Sequence, residues 1–396
     1  MDTEALISEL QSLGLRLAEA PGRAAPVARR GGAGPTDHAA VQVDGVTVMV
    51  PIHTAPAAGS PYLARFDERG EGVVERGGEA LAPLRLVPAP RFYALSTADG
   101  IPYSKIALLH GADVLASTVL QTCVRYADPE KACAFCAIGQ SLAAGRTVAR
   151  KTPEQLAEVA EAAARLDGVR HVTLTTGTPR TPDRGAAHLA ACARAIRDRT
   201  GLPVQAQCEP PEDFEWFARM RDAGVESLGM HLEAVGEAVR VEMTPGKAEV
   251  PLARYFAAFE AAVRVFGRGQ VSTYLIAGLG DAPEVLVEAS ARLIELGVYP
   301  FIVPLVPVGG TKLQDRAPPS GEVMRAIYTK VGAMLARAGL RAAEVKAGCA
   351  RCGACSSLPL FESHDANHLS ARPDGGGAPR VLPLAPGHLL RRAGPL

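Results

Sequence analysis

Apolar residues recur at helical spacing at the start of the chain and at strand spacing soon after. Leu6, Leu10, Leu13 and Leu17 share one face of a predicted helix over residues 3–19. A Pro/Gly-rich stretch, 21–35, ends it. Val41-Gln42-Val43 and Val46-Thr47-Val48-Met49-Val50 then flank Asp44-Gly45, a favoured two-residue hairpin turn. Residues 1–105 thus read as a small α+β region, and no chemical motif stands out in it.

From about residue 112 strand-length apolar runs alternate with helical stretches. The predicted strands are 114–121, 169–176, 204–208, 227–232, 270–277 and 299–306. Thr152-Pro153-Glu154 is a helix start, with Thr152 as N-cap and Pro153 in the first turn. A helix over 284–296 is expected to turn Val285, Ala289, Leu293 and Leu296 to one side. Six β–α units in a row predict an α/β fold, a partial or complete parallel β/α barrel over residues 106–318 with its site at the C-terminal strand ends. Residues 319–372 read as a helix and a Cys-containing extension, and 373–396 as a Gly/Pro-rich tail.

Composition narrows the class. Hydrophobic residues are 47% of the 396, enough for a packed core, and Lys+Arg and Asp+Glu are both 42, which gives no reason to expect a nucleic-acid partner. No apolar run is long enough to span a bilayer, so no membrane partner is expected. The start Met1-Asp2-Thr3-Glu4 lacks the basic residues and apolar run of a secretory signal, which makes the cytoplasm the expected location. Thiols stay reduced there, and six of the eight cysteines fall in two tight groups, a pattern that points to metal or cluster ligation rather than disulfides.

The first group is Cys123, Cys133 and Cys136, spaced C-x9-C-x2-C directly after the first predicted barrel strand. Three thiolates can hold three irons of a [4Fe–4S] cluster and leave the fourth open for chemistry. A zinc knot is the competing reading of the spacing, but no His or further Cys lies close by in sequence to complete a tetrahedron. The position after the first strand of a β/α repeat favours the cluster. The second group, Cys349, Cys352 and Cys355, is C-x2-C-x2-C without the further cysteine of ferredoxin-like motifs. A second cluster and a zinc site closed by His364 or His368 are both open for it. The segment follows the last barrel strand, so it could fold back toward the open mouth. Cys192, on a helix, and Cys208, at the end of the third strand, read as packing residues.

The first group, with Phe135 just before its last cysteine, resembles the radical S-adenosylmethionine (SAM) superfamily, whose usual spacing is C-x3-C-x2-C. Arg29-Arg30-Gly31-Gly32-Ala33-Gly34-Pro35, Gln121-Thr122-Cys123, Cys136-Ala137-Ile138-Gly139, Leu174-Thr175-Thr176-Gly177-Thr178 and Pro245-Gly246-Lys247-Ala248-Glu249-Val250 resemble one bacterial branch of it, encoded beside a nitrilase in conserved gene clusters. The resemblance implies a radical SAM barrel core. It also implies a [4Fe–4S] cluster that reductively cleaves SAM, giving a 5′-deoxyadenosyl radical for hydrogen abstraction from a small molecule. The implied partners are that substrate, in nitrile or nitrogen metabolism, and an electron donor such as a flavodoxin or ferredoxin. Alternatives from other classes are a non-catalytic iron–sulfur carrier or scaffold and a zinc-stabilised ligand-binding protein.

The same resemblance, with position at the strand ends, nominates cofactor contacts. Thr176-Gly177-Thr178 closes the second strand where the family meets the SAM amino group, although the acidic residue of the common pattern is missing. Glu209 and Glu233 follow the third and fourth strands, and either could take the SAM ribose or amino group. Arg240 could hold a carboxylate with a two-pronged contact. Gly278, in Gly278-Leu279-Gly280-Asp281, could let the backbone approach the adenine. His231 reads as a core histidine.

Overall fold

The computed structural model describes residues 1–18, 37–67 and 71–362. The 21–35 stretch with its 29–35 motif, His364, His368 and the 373–396 tail lie outside the described residues. The first helix, Thr3–Leu13, is capped by the Asp2 carboxylate, which accepts from the Ala5 N–H. It stops six residues earlier than its leucine spacing predicts. Gly14 takes φ +77°, and a Cβ there would lie 2.5 Å from Ala57 Cβ and 2.6 Å from the Pro51 carbonyl. The chain turns under that close approach, and Leu17 joins a strand instead.

That strand is β1 (Arg16–Leu17). With β2 (His38–Val43), β3 (Val46–Pro51), β4 (Tyr62–Phe66), β5 (Glu71–Arg76) and β6 (Glu79–Leu86) it makes a six-stranded sheet of order β1-β4-β5-β6-β2-β3. The predicted hairpin is β2–β3, and Asp44 (φ +51°) and Gly45 (φ +81°) both take the positive φ of a type I′ turn.

The second sheet holds β7 (Leu108–His110), β8 (Val114–Leu120), β9 (His171–Thr176), β10 (Val204–Gln207), β11 (Val225–Gly229), β12 (Val271–Ala277) and β13 (Val298–Pro304), in chain order from edge to edge. β8 to β13 are the six predicted strands, and all run parallel. β7 pairs antiparallel with β8, so among the described residues β7 and β13 are the two edges and the barrel is partial. All six parallel strands, or the residues just beyond them, line one cavity of about 360 Å³. A flat sheet of six strands at about 4.8 Å spacing is too wide for that, so the sheet is curled around the cavity.

Helices cover the outer face. Pro153–Asp167 starts with a full capping box between Thr152 and Gln155. On Pro283–Leu296 the buried side is Leu286, Ala289, Leu293 and Ile294. Val285, expected on that side, is exposed, because the face that meets the sheet and the next helix is rotated by one residue. Gly321–Ala338 follows β13 and packs against Thr3–Leu13, with Glu9 3.6 Å from Arg325. Both the Met49 N–H (2.7 Å) and Gln11 Nε2 (2.9 Å) donate to the Ala354 carbonyl, so the N-terminal sheet and helix clasp the second cysteine segment.

Gly14 and Gly45 separate two effects. Gly14→Ala adds an overlap with rigid backbone to the strain of positive φ, whereas a Cβ at Gly45 meets nothing within 4 Å. Gly14→Ala is therefore expected to destabilise by about 2–4 kcal/mol and Gly45→Ala by about 1 kcal/mol. Thermal unfolding of the two variants side by side checks this, and equal losses would refute the overlap.

Candidate functional site

β8 ends at Leu120, and the chain enters a loop that carries Cys123, Cys133 and Cys136, each half-buried. The nine-residue gap is taken up by successive turns. The N–H groups of Ala127, Asp128 and Ala132 donate to the carbonyls of Cys123, Arg125 and Asp128, and that of Cys136 to Cys133. The three thiols end close together: Cys123 acts on the ionisation of both Cys133 and Cys136. Burial, with the Glu233 carboxylate, pushes the Cys133 thiol up. Burial likewise pushes Cys136 up to about 11, against an N–H contact from Ile138 that favours thiolate.

Neighbouring strand ends hold this loop. Arg125 makes a two-pronged pair with Glu209, 2.7 Å on each arm, and both side chains are over 90% buried. Thr178 Oγ1 donates to the same carboxylate at 2.8 Å, and the Val124 N–H reaches the Thr178 carbonyl. Burial alone would raise Glu209, but Arg125, Lys247 and Thr178 together bring it below the ordinary carboxylate range. A Cβ on Gly177 would lie 2.2 Å from the Thr122 carbonyl, so only glycine lets the turn after β9 pack against the loop. Thr176 Oγ1 donates to the Gly177 carbonyl, within its own turn.

Glu233 sits beyond β11 in a left-handed conformation (φ +66°), unusual for a residue with a side chain. Its N–H donates to the Tyr274 carbonyl and its own carbonyl accepts from Ile276, which fixes it against β12. Oε1 accepts from Lys247 Nζ at 2.8 Å. Burial opposes the charge on Lys247, but Glu233, Tyr255, Cys133 and Glu209 together outweigh it and hold the ammonium charged. Oε2 is buried and has no hydrogen-bond partner among the described residues. His231, two residues earlier, departs from the core role expected of it, because it opens into the cavity. Its Nδ1 accepts from the Tyr274 N–H at 3.2 Å, and Nε2 is buried without a partner among the described residues. Burial, with Lys247 nearby, lowers it to about 3. The ring is neutral, so the proton sits on Nε2 as a donor with nothing to meet.

Arg240 is spent elsewhere. It donates to the carbonyls of Lys247 and Val250 and lies 5.7 Å over the Tyr255 ring, bracing the Lys247 turn. Gly278 (φ +100°) packs against Pro319 and Leu305. Three residues on, the Asp281 carboxylate accepts from the N–H groups of Val235 and Gly236 and fixes the turn beyond Glu233. Of the nominated cofactor contacts, Glu233 is among the residues lining the cavity; Thr176, Gly177, Thr178, Glu209, Arg240 and Gly278 are not. Sequence reasoning missed Arg125 and Lys247, the cations that pair with the two nominated glutamates. Lys247 lay within a motif already singled out by resemblance.

Cys349, Cys352 and Cys355 line the same cavity, but not at its mouth. The segment docks on the N-terminal strand ends: the Gly348 N–H donates to His171 Nδ1 at 3.1 Å, Ser227 Oγ to the Ala347 carbonyl at 2.7 Å. The cysteines therefore form the floor of the half-barrel, opposite the first loop, which sends Phe135 into the wall. Gln11, His38, Met49 and His110 complete that floor. Cys192 and Cys208 are buried and outside the cavity wall.

Removing the Glu209 charge strands Arg125. Glu209→Gln is expected to destabilise by on the order of 3 kcal/mol at neutral pH. Because the folded-state carboxyl lies below its unfolded value, that stabilisation is present above the ordinary carboxylate range and is lost as pH falls through the folded value. The gap between wild type and variant should shrink on acidification, and denaturant melts at neutral and acid pH read it directly; a constant gap would show that the ionised pair is not its source.

Comparison with known proteins agrees with this geometry. Residues 129–294 match the family model of the radical SAM superfamily, a span that includes Cys133, Cys136, Glu209 and Glu233. The chain is 33% identical over 178 residues to lipoyl synthase of Thermus thermophilus, covering 42% of this chain and 50% of that protein. It is 29% identical over 123 residues to bacteriochlorophyllide c C-7(1)-hydroxylase of Chlorobaculum limnaeum, covering 31% and 30%. The chain thus spans half or less of the length of these curated relatives. Among solved structures it is similar to methylornithine synthase, with a TM-score of 0.45 at 15% identity over 62% of this chain and 67% of that one. The matched span, with Cys133, Cys136 and four of the six parallel strands, β9 to β12, is thus similar in sequence to the radical SAM superfamily.

Proposed function

We propose that the protein is a radical SAM enzyme that binds a [4Fe–4S] cluster on Cys123, Cys133 and Cys136 and acts on a small molecule in the half-barrel cavity. The observation that carries the reading is the pairing of that thiol loop with a cavity whose wall offers an uncompensated acceptor, Glu233 Oε2, and an uncompensated donor, His231 Nε2. Buried polar atoms without partners are costly and mark a place where a ligand completes the bonding. The donor set fits the group: three half-buried thiols on one loop, with a backbone N–H directed at one of them.

When bound, the cluster and SAM supply one-electron cleavage of SAM and a radical able to take hydrogen from carbon. The chain's own residues bind and orient. Glu233 Oε2 accepts from an ammonium or hydroxyl of the cofactor; burial raises the Glu233 carboxyl, and the Lys247 ammonium on Oε1 works against that shift. His231 Nε2 donates into the same space. Arg125, Glu209, Thr178 and Gly177 act as positioning residues, fixing the thiol loop against two strand ends. Arg240 holds the turn that carries Lys247. The wall between is largely apolar, with Phe135, Val114, Ala116, Ile276 and Val303, which excludes water from a reactive radical. A second iron–sulfur cluster on Cys349, Cys352 and Cys355 belongs to the same reading. An electron donor such as a flavodoxin or ferredoxin would supply the reducing electron. The nitrilase-cluster resemblance directs a substrate screen first to nitriles and their nitrogen-containing precursors.

The test is SAM cleavage to 5′-deoxyadenosine by anaerobically reconstituted protein with a reductant. Wild type should form it, and replacing Cys123, Cys133 and Cys136 by Ala should abolish it; product from the triple variant, or none from iron-loaded wild type, would sink the proposal. Glu233→Gln should weaken SAM binding by about 10–100-fold, the worth of a charge-assisted hydrogen bond, with iron content unchanged. Isothermal titration of loaded protein reads this, and an unaltered affinity would remove Glu233 from the SAM site.

A further inference from the structure

Two side chains from different strands reach the sulfurs of the cavity floor. His110 ends β7, and its Nε2 lies 3.2 Å from Cys355 Sγ. Gln207 ends β10, and its Nε2 lies at the same 3.2 Å from Cys349 Sγ. Neighbouring groups fix which way the Gln207 amide points. Gln205 Nε2 donates to Ser272 Oγ, so Gln205 Oε1 is left as the acceptor. It takes the Cys349 N–H at 3.1 Å and Gln207 Nε2 at 2.7 Å. Gln207 therefore turns its amide nitrogen, a donor, to the sulfur. Gly111, next to His110, takes φ +59°, and a Cβ there would lie 3.2 Å from Cys352 Sγ, so the β7–β8 turn is fitted against the thiols. His110 Nδ1 is buried and has no hydrogen-bond partner among the described residues.

We infer that His110 and Gln207 are paired positioning residues for an iron–sulfur cluster on Cys349, Cys352 and Cys355. Each donates a hydrogen bond to a ligating sulfur from outside the cluster, and together they raise its reduction potential. The inference rests on the second-cluster reading above. A thiolate bound to iron has no proton to give, so the contact with Cys355 requires the proton on His110 Nε2. Nδ1 is then the acceptor side of the ring and stays unpaired. An unpaired buried atom calls for an explanation, and the ring's grip on the sulfur supplies one. Each bond stabilises negative charge on a sulfur. The reduced cluster carries one more negative charge than the oxidised one, so it gains more from the bond, and the potential rises. The same contacts fix the directions of the Cys349 and Cys355 side chains, as outer contacts do around metal ligands. The cysteine spacing names neither donor, and His110 lies outside the matched residues 129–294.

The experiment uses full-length protein with Cys123, Cys133 and Cys136 replaced by Ala, reconstituted anaerobically, so that only the floor site can load. About four irons per chain should remain, the content of one such cluster. A redox titration followed by EPR reads its midpoint potential. His110→Leu and Gln207→Leu should each keep the iron and lower the potential, by about tenfold in the reduction equilibrium, or about 59 mV for one electron. The exchangeable-proton coupling that pulsed EPR detects at the reduced cluster should weaken in each. His110→Gln, which offers an amide N–H from the same strand, should restore both readings. An iron-loaded His110→Leu with unchanged potential and coupling would overturn the donor role. So would a lowered potential that His110→Gln leaves lowered, which would assign the effect to packing, or loss of iron from both His110 variants with the fold intact by circular dichroism. Little iron, or one tightly bound zinc, before either donor is changed would instead overturn the second cluster itself and the donors with it.

Discussion

The first cysteine loop depends on the buried pair between Arg125 and Glu209. A loop of some sixteen residues with no helix or strand of its own loses about 1–2 kcal/mol of backbone entropy per residue on being fixed. Its own turns offset part of that. The pair adds an anchor that is specific in geometry: two parallel arms of 2.7 Å, desolvated, with Thr178 on the same carboxylate. A desolvated charge that loses its partner is heavily penalised, so the loop has one favourable place to sit. That place is over the ends of β9 and β10.

A second pair, Lys247 with Glu233, lies in the same volume, and Lys247 also acts on Glu209. Positive and negative groups therefore alternate around the thiols. Among the described residues, the atoms left without a hydrogen-bond partner there are a carboxylate oxygen on Glu233, the ring N–H of His231 and Nε of Arg240. The arrangement is satisfied enough to be rigid and unsatisfied at the positions that face the cavity. Glu233 takes a left-handed backbone to get there, and strain of this kind persists only where the surroundings enforce it, here through β12 on both sides of the residue.

The barrel was legible from the chain because its signal is local. Each parallel strand is a short run buried on both faces, and each helix announces itself by cap and period, as Thr152 and Gln155 do. The first helix was read too long because Leu17 keeps the leucine spacing, while the stop is set by Gly14 against Pro51 and Ala57, contacts roughly forty residues away. Val285 was misplaced for a like reason, since neighbouring elements choose which of two adjacent stripes is buried. The thiols of the first group were legible as a motif, but their support was not. Arg125 reads as an ordinary loop cation until the fold brings Glu209, 84 residues later, to its side. His231 reads as core because strand residues usually are, and only the curl of the sheet turns it to the cavity.

The floor was least legible, because no part of it is local. Gln11 and Met49 reach it from the N-terminal unit, His110 from the edge strand, and the cysteines from beyond the last barrel helix. An open half-barrel leaves its N-terminal strand ends and its interior in contact with water unless something fills them. The C-terminal segment does so by meeting polar groups at those ends, His171, Gln205 and Ser227, with its own backbone. The N-terminal unit then seals that segment from below through the Ala354 carbonyl, which takes two donors from it. A region in which sequence showed no chemistry thus has a chemical consequence: it closes one end of the cavity, so that a radical formed at the other end would be shielded from solvent on that side.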